Sequence, residues 1–166
     1  LYVTGRELKS ILEILNVSWK STPANYCYFS GIRVETDPEG GLLKKIRKIE
    51  IISPDGSGKR NVDFSKKDTT LYSITANSYM LQFIGIIKKM SFGLINVTPK
   101  DSSGVKITDM SNAVADMDQT QPGIQEGKEW LAVMEYMRLM RDTDGNGIPD
   151  IDNEYRKAIK THFPVK

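Results

Sequence analysis

Side-chain oxygens recur at every second residue in the acidic stretch DTDGNGIPDID, which covers residues 142–152. Oxygen ligands in this alternation are typical of a calcium loop, and a glycine at the sixth position permits the sharp turn that such a loop needs. The predicted ligands comprise five side chains and one backbone carbonyl, that of Ile148. In chain order they are Asp142, Asp144, Asn146, Ile148, Asp150 and Asp152. The sequence therefore predicts a structural calcium ion here.

The loop departs from a standard EF-hand at the residue that would close the calcium shell. The twelfth position is Asn153, and the nearest glutamate, Glu154, lies one residue later. The pattern is closer to the Asp-x-Asp-x-Asn-Gly-x-Pro-Asp turns of extracellular calcium-binding repeats, and Pro149 disfavours a regular EF-hand pairing. An ordinary acidic turn is the alternative, because Asp, Asn, Gly and Pro are also the residues that tight turns select.

Two helices are predicted to hold this loop. Trp130, Val133, Met134 and Met137 follow the spacing of a helix that buries one face, and the range Glu154–Phe163 is again compatible with a helix. We expect the ion to fix the last helix as a structural clip, in contrast to a calcium sensor that opens.

Composition limits what the rest of the chain can be. A length of 166 residues suits a single domain, and 23 basic against 21 acidic residues give no electrostatic case for a nucleic-acid partner. The single cysteine, Cys27, excludes an intrachain disulfide, and no apolar run reaches the roughly 18 residues of a membrane span. The chain opens at Leu1 in what looks like the end of a strand, so we expect it to be a piece of a longer protein.

The remaining elements predict an α+β fold with a mainly antiparallel sheet and packed helices. Thr4 and Glu7 form a capping box that begins a helix over residues 5–16, and Leu8, Ile11, Leu12 and Leu15 give this helix one apolar face. A second helix is predicted over Tyr79–Met90. The predicted strands are Tyr26–Glu35, Leu43–Ser53, Leu71–Ala76, Leu94–Thr98 and Val105–Thr108.

Three segments within residues 1–85 carry a family resemblance. The segment VTGRELK at residues 3–9 has a Thr-Gly-x-Glu-Leu helix start, and FSGIRV at 29–34 has a Ser-Gly strand. The segment LYSITANSY at 71–79 is similar to a Tyr-x-Val-x-Thr-Asn-x-Tyr pattern. In this order they resemble the C-terminal domain of the 5′-nucleotidase family of metallophosphoesterases, which includes UDP-sugar hydrolases. The resemblance implies the fold of that domain, truncated at its N-terminal edge.

In that family an N-terminal domain holds two catalytic divalent metal ions, and the C-terminal domain stacks the nucleobase between aromatic rings. The resemblance implies that this chain is the substrate-binding domain of a 5′-nucleotidase-like phosphoesterase that is periplasmic, on the cell surface or secreted. Its expected partners are a nucleotide or related phosphorylated small molecule and its own N-terminal domain. Tyr79 matches the second stacking ring and Asn77 the neighbouring asparagine, whereas Gly85 stands where the family carries an aspartate.

The chain itself is not expected to catalyse a reaction. Two-metal phosphoester hydrolysis needs a cluster of histidines and carboxylates, and His162 is the only histidine. We therefore predict no catalytic residue, and we expect the catalytic metals to be bound in the preceding domain. The alternative function is a non-catalytic, calcium-stabilised extracellular binding domain that has lost nucleotide binding. For Tyr79, a packed structural role is the alternative to ligand binding.

Overall fold

The computed structural model describes residues 1–21, 26–80 and 96–156, which form an α+β fold with two antiparallel sheets. The strands are β1 (Tyr2–Thr4), β2 (Ile32–Thr36), β3 (Ile46–Ile52), β4 (Lys59–Asn61) and β5 (Leu71–Ser73). The α-helices are α1 (Gly5–Ser21) and α2 (Glu129–Arg138), and 3-10 helices cover Met110–Ala113 and Asn153–Arg156. One sheet pairs β1 with β5, and the other has the order β2-β3-β4. The predicted α+β class is therefore confirmed.

Two compact units divide the chain, with a boundary between Thr108 and Asp109. The first, which we call the sheet unit, contains α1 and strands β1 to β5. The second, the loop unit, contains α2 and the 3-10 helices at Met110–Ala113 and Asn153–Arg156. The expectation of a single domain stays a prediction, because two compact units can belong to one domain.

A capping box begins α1, as predicted. The Thr4 N–H donates to Glu7 Oε2 at 2.8 Å, and the Glu7 N–H donates to Thr4 Oγ1 at 3.4 Å. The same carboxylate accepts from the Thr98 N–H at 2.9 Å and from Lys100 Nζ at 2.7 Å. Burial alone would raise the pKa of Glu7. The hydrogen bonds from Lys100, Thr4 and Thr98 together lower it by more than burial raises it, so the pKa lies below the ordinary value.

Gly5 allows the first turn of α1 to touch the chain that follows β4. A Cβ atom at this position would lie 2.2 Å from the carbonyl oxygen of Asp63 and 2.7 Å from Val62 Cγ1. No other residue fits without displacing that backbone, which explains why a glycine stands at a helix start.

The core of the sheet unit lies between α1 and strands of both sheets. The apolar face predicted for α1 is confirmed at Leu8, Leu12 and Leu15, which are buried. The other buried members of this cluster come from β1, β3, β5 and the residue after β4. They are Val3, Ile46, Ile49, Val62 and Tyr72.

A β-bulge lets β3 bury two isoleucines that are three residues apart. Ile46 and Ile49 would face opposite sides of a regular strand, because side chains alternate. The pairing with β2 shifts between Glu35, which faces Lys48, and Thr36, which faces Ile46. Arg47 is the extra residue, and it brings both isoleucines to the core.

Several predicted boundaries differ from the structure. The predicted strand at 94–98 has residues 94 and 95 outside the described part, and residues 96–98 are irregular. The predicted strand at 105–108 is reduced to an isolated bridge between Lys106 and Lys100. Most of the predicted helices Tyr79–Met90 and Glu154–Phe163 lies outside the described residues. Strand β4 was not predicted, because three exposed polar residues carry no alternation of apolar side chains.

We predict that Gly5→Ala destabilises the protein by about 1–3 kcal/mol, because the added methyl overpacks against Asp63. Helix propensity alone would give the opposite sign. The measurement is urea unfolding followed by circular dichroism. Gly41→Ala is the control, since a Cβ there meets no atom within 4 Å. An equal loss of stability in both variants would contradict the explanation that the methyl group overpacks at Gly5.

We predict that Glu7→Gln lowers the free energy of unfolding by about 1.5–3 kcal/mol at neutral pH, because Lys100 loses its charged acceptor. The folded-state pKa of Glu7 is depressed, so its stabilisation is present above the pKa of the unfolded chain. It is lost as pH falls through the folded-state pKa. Unfolding curves across acidic pH should therefore show the wild type and the variant converging. The exposed Glu35→Gln serves as the control and should change stability little at any pH.

Candidate functional site

The acidic loop follows α2 and curls around the carboxylate of Asp142. Asp142 Oδ1 accepts from the N–H of Gly145 at 2.7 Å and of Asn146 at 3.2 Å, and Oδ2 accepts from Gly147 at 2.8 Å. Both glycines have a positive φ, 74° and 84°, which favours glycine over other residues. The bond from Gly147 is the largest cause that lowers the pKa of Asp142, so the carboxylate is ionised at neutral pH.

Alternating side chains continue this pattern along the loop. Asp144 accepts from the Asn146 N–H at 3.1 Å and from its amide nitrogen at 3.0 Å. The amide oxygen of Asn146 in turn accepts from the Ile148 N–H at 2.8 Å. Asp144 and Asn146 therefore each bind the backbone N–H two residues ahead, whereas Asp142 binds those three to five residues ahead.

Asp150 brings the end of the loop back to its start. Its Oδ2 accepts from the Thr143 N–H at 2.8 Å and also from the Thr143 hydroxyl, while its own N–H donates to the carbonyl of Arg141 at 2.8 Å. Thr143 was not among the predicted site residues. The sequence feature that could have indicated Thr143 is its position between Asp142 and Asp144. A threonine there offers both an N–H and a hydroxyl to the carboxylate of Asp150.

Three of the predicted ligands converge. One carboxylate oxygen each of Asp142, Asp144 and Asp150 lies within 4.8 Å of the others. Asp152 does not belong to this group among the described residues; its carbonyl accepts from the Tyr155 N–H at 3.0 Å, where the 3-10 helix begins. Ligation by the Ile148 carbonyl stays a prediction. The converging donors are all oxygens, which suits a hard cation such as Ca²⁺ or Mg²⁺.

The helix that leads into the loop forms as predicted, but its predicted core face is exposed. Trp130 is 62% exposed, Val133 57% and Met134 43%, while Met137 is half-buried. The expectation that this stripe is core is therefore wrong. The described residues of the loop unit include no named strand and one α-helix, so these residues supply no second layer to cover the stripe.

Two tyrosines join the elements on either side of the loop. The hydroxyls of Tyr136 on α2 and Tyr155 on the 3-10 helix lie 2.5 Å apart. Their rings meet edge to face, with centroids 6.1 Å apart. The loop is therefore closed at its base by a hydrogen bond and a ring contact.

The two predicted substrate-binding residues lie in the sheet unit after β5. Asn77 Oδ1 accepts from the Met80 N–H at 2.8 Å, so Asn77 caps the helical turn that covers residues 78–80. The Tyr79 side chain in that turn is 75% exposed. Asn77 thus has a local structural role that sequence reasoning did not predict, and Gly85 lies outside the described residues.

Comparisons with protein-family models, curated proteins and solved structures gave no match for this chain. Within residues 1–21, 26–80 and 96–156, no helix combines the length and apolar composition that a membrane span requires.

Charge is distributed unevenly along the chain. The stretch Leu1–Thr108 has sixteen basic and ten acidic residues, a net charge of +6, whereas Asp109–Ile159 has five basic and eleven acidic residues, a net charge of −6. The acidic loop therefore lies in a negatively charged part of the sequence, which favours cations there.

Proposed function

We propose that the loop at Asp142–Asp152 binds a structural calcium ion. The observation that carries this proposal is the convergence of the three carboxylates of Asp142, Asp144 and Asp150 within 4.8 Å. Like charges at this separation repel one another, and a divalent cation between them replaces the repulsion with attraction. The low pKa of Asp142 supports the proposal, because a metal ligand must be deprotonated.

Calcium is favoured over magnesium by the kind of loop. Ca²⁺ accepts six to eight oxygens in flexible geometry, including backbone carbonyls, whereas Mg²⁺ demands a near-ideal octahedron and retains several waters. A loop that offers carboxylates, the Asn146 amide and the Ile148 carbonyl fits the first requirement. Glycines at 145 and 147 let its backbone adjust to such a shell.

The ion would act as a clip in the loop unit. It would join Asp142 and Asp144 at the start of the loop to Asp150 at its end, across a base already held by Tyr136 and Tyr155. Binding would therefore stabilise an arrangement that exists, and we expect no opening of helices of the kind that calcium sensors show.

We predict that calcium at about a hundred times its Kd stabilises the loop unit by about 2.7 kcal/mol, because only the folded loop brings the ligands together. The measurement is thermal unfolding with calcium and with EDTA. The double variant Asp144→Asn, Asp150→Asn should abolish the difference. Asp118→Asn, which changes an exposed aspartate of the same unit outside the loop, should retain it. Equal melting curves with calcium and EDTA for the wild type would show that the loop is an ordinary acidic turn that binds no calcium.

We further propose that the sheet unit belongs to the substrate-binding domain of a periplasmic, cell-surface or secreted 5′-nucleotidase-like phosphoesterase, with its chemistry in an N-terminal metal domain. The observation that favours this role is the exposed ring of Tyr79, which lies in the helical turn that Asn77 caps through the Met80 N–H. An exposed ring on a fixed backbone is suited to stack on a nucleobase. A non-catalytic, calcium-stabilised extracellular domain is the alternative, and nucleotide binding discriminates between the two.

We predict that AMP perturbs the NMR resonances of residues near Tyr79 and that Tyr79→Ala weakens its binding by about 1–3 kcal/mol, the range for one stacked base. Tyr28→Ala is the matched control, since Tyr28 is also exposed in the sheet unit. If AMP causes no perturbation, or if both variants bind it equally, the non-catalytic alternative is favoured.

A further inference from the structure

A cleft of about 400 Å³ opens in the sheet unit between α1 and the turn at residues 41–44. Its lining combines positive charge with apolar surface. The basic side chains are Arg6, Lys9 and Lys44, the other polar ones are Ser10 and Glu13, and the apolar ones are Leu42, Leu43 and Phe64. The volume lies in the range of small-molecule sites, and a charged group beside an apolar wall is the usual composition of such sites.

A buried glutamate fixes the turn to the helix. Glu13 on α1 is 2% exposed, and its carboxylate accepts from the N–H of Lys45 at 3.0 Å and of Ile46 at 2.8 Å. Leu43 packs beside Ile14 of the same helix. These contacts hold the wall of the cleft in place without a ligand.

The turn has an unusual backbone. Leu43 has a φ of 58°, a conformation that residues other than glycine rarely adopt. The Lys44 N–H donates to the carbonyl of Gly41 at 3.0 Å, which closes the turn. Strained backbone of this kind persists only where surrounding contacts enforce it, and it is frequent at ligand sites.

The three cations of the cleft have no carboxylate partner among the described residues. The ammonium of Lys9 lies 5.1 Å from the centroid of the Phe64 ring. Neighbouring basic residues differ, because Arg47 pairs with Asp37 and Lys48 with Glu50. Three basic side chains therefore outnumber the one carboxyl group of the lining, that of Glu13, which is bound to two backbone N–H groups, and this balance favours an anion from solution.

We propose that this cleft binds a small organic phosphate. The Arg6 guanidinium can bind two phosphate oxygens at once, and the ammonium groups of Lys9 and Lys44 add charge to a dianion. Leu42, which is 75% exposed, and Phe64 supply apolar surface for the organic part. This site is separate from the proposed stacking residue, since Tyr79 does not line the cleft.

The test is an NMR titration of the whole chain with phenyl phosphate, followed through backbone amide resonances. The shifts should concentrate at residues 5–13 and 41–46. The double variant Arg6→Gln, Lys9→Gln should raise the Kd by about tenfold or more, as expected when charged hydrogen bonds are lost. Lys106→Gln, which changes another exposed lysine of the sheet unit, should leave the Kd within about twofold.

Additional ligands and variants separate the contributions of the phosphate group, the aromatic ring and the charge of the cleft. Inorganic phosphate should bind more weakly at the same residues, and phenol should give no shifts there. The variant Arg6→Lys, Lys9→Arg retains charge and should recover part of the affinity if the charge at these positions matters. Tyr79→Ala should not affect phenyl phosphate binding, so failure of the stacking proposal is distinguishable from failure of this one.

Three results would overturn the proposal: no shifts at the cleft, shifts spread evenly over the basic residues of the sheet unit, or equal Kd values for the wild type and the Arg6→Gln, Lys9→Gln variant. Thermal unfolding of each variant verifies that it is folded. The charge-retaining variant keeps the test valid if the glutamine variant fails to fold.

Discussion

The carboxylate of Glu7 is the interaction on which the arrangement of the sheet unit depends. It caps α1 through Thr4 and accepts from Thr98 and Lys100, more than ninety residues later in the chain. The position of α1 in turn decides where Glu13 meets the turn before β3, and therefore where the walls of the basic cleft stand. One half-buried acid thus links the beginning of the helix to a distant segment, and through α1 it bears on the position of the cleft.

Carboxylates are used in two different ways in this chain. Glu7 is neutralised by Lys100, so its charge is satisfied inside the protein and its role is structural. Asp142 and Asp144 also accept backbone N–H groups, but neither forms a salt bridge with a basic side chain in the described part of the chain. The difference lies in where the compensating charge comes from. For Asp142 and Asp144 a cation from solution could supply it, which is the physical basis of the calcium proposal.

Local patterns carried most of what the sequence could predict. The capping box, the apolar face of α1 and the convergence of Asp142 with Asp144 and Asp150 all depend on residues within a few positions of one another. Features that depend on tertiary packing were not predictable in this way. Glu13 bonds to backbone groups 32 and 33 residues away, and the bulge at Arg47 is visible only in the pairing with β2. The exposed stripe of α2 was mispredicted for the same reason, because helical spacing indicates a face but not whether another layer covers it.

The opposite charges of the two parts of the chain mean that its net charge of +2 describes neither of them. At physiological ionic strength the Debye length is about 8 Å, so an approaching molecule senses the charges near its point of contact and not the total. Leu1–Thr108 should therefore behave as a basic protein and Asp109–Ile159 as an acidic one. Calcium would reduce the charge of the second part alone. The same chain could then be retained by both cation and anion exchangers. Only its retention on the anion exchanger, which depends on the acidic part, would change with calcium.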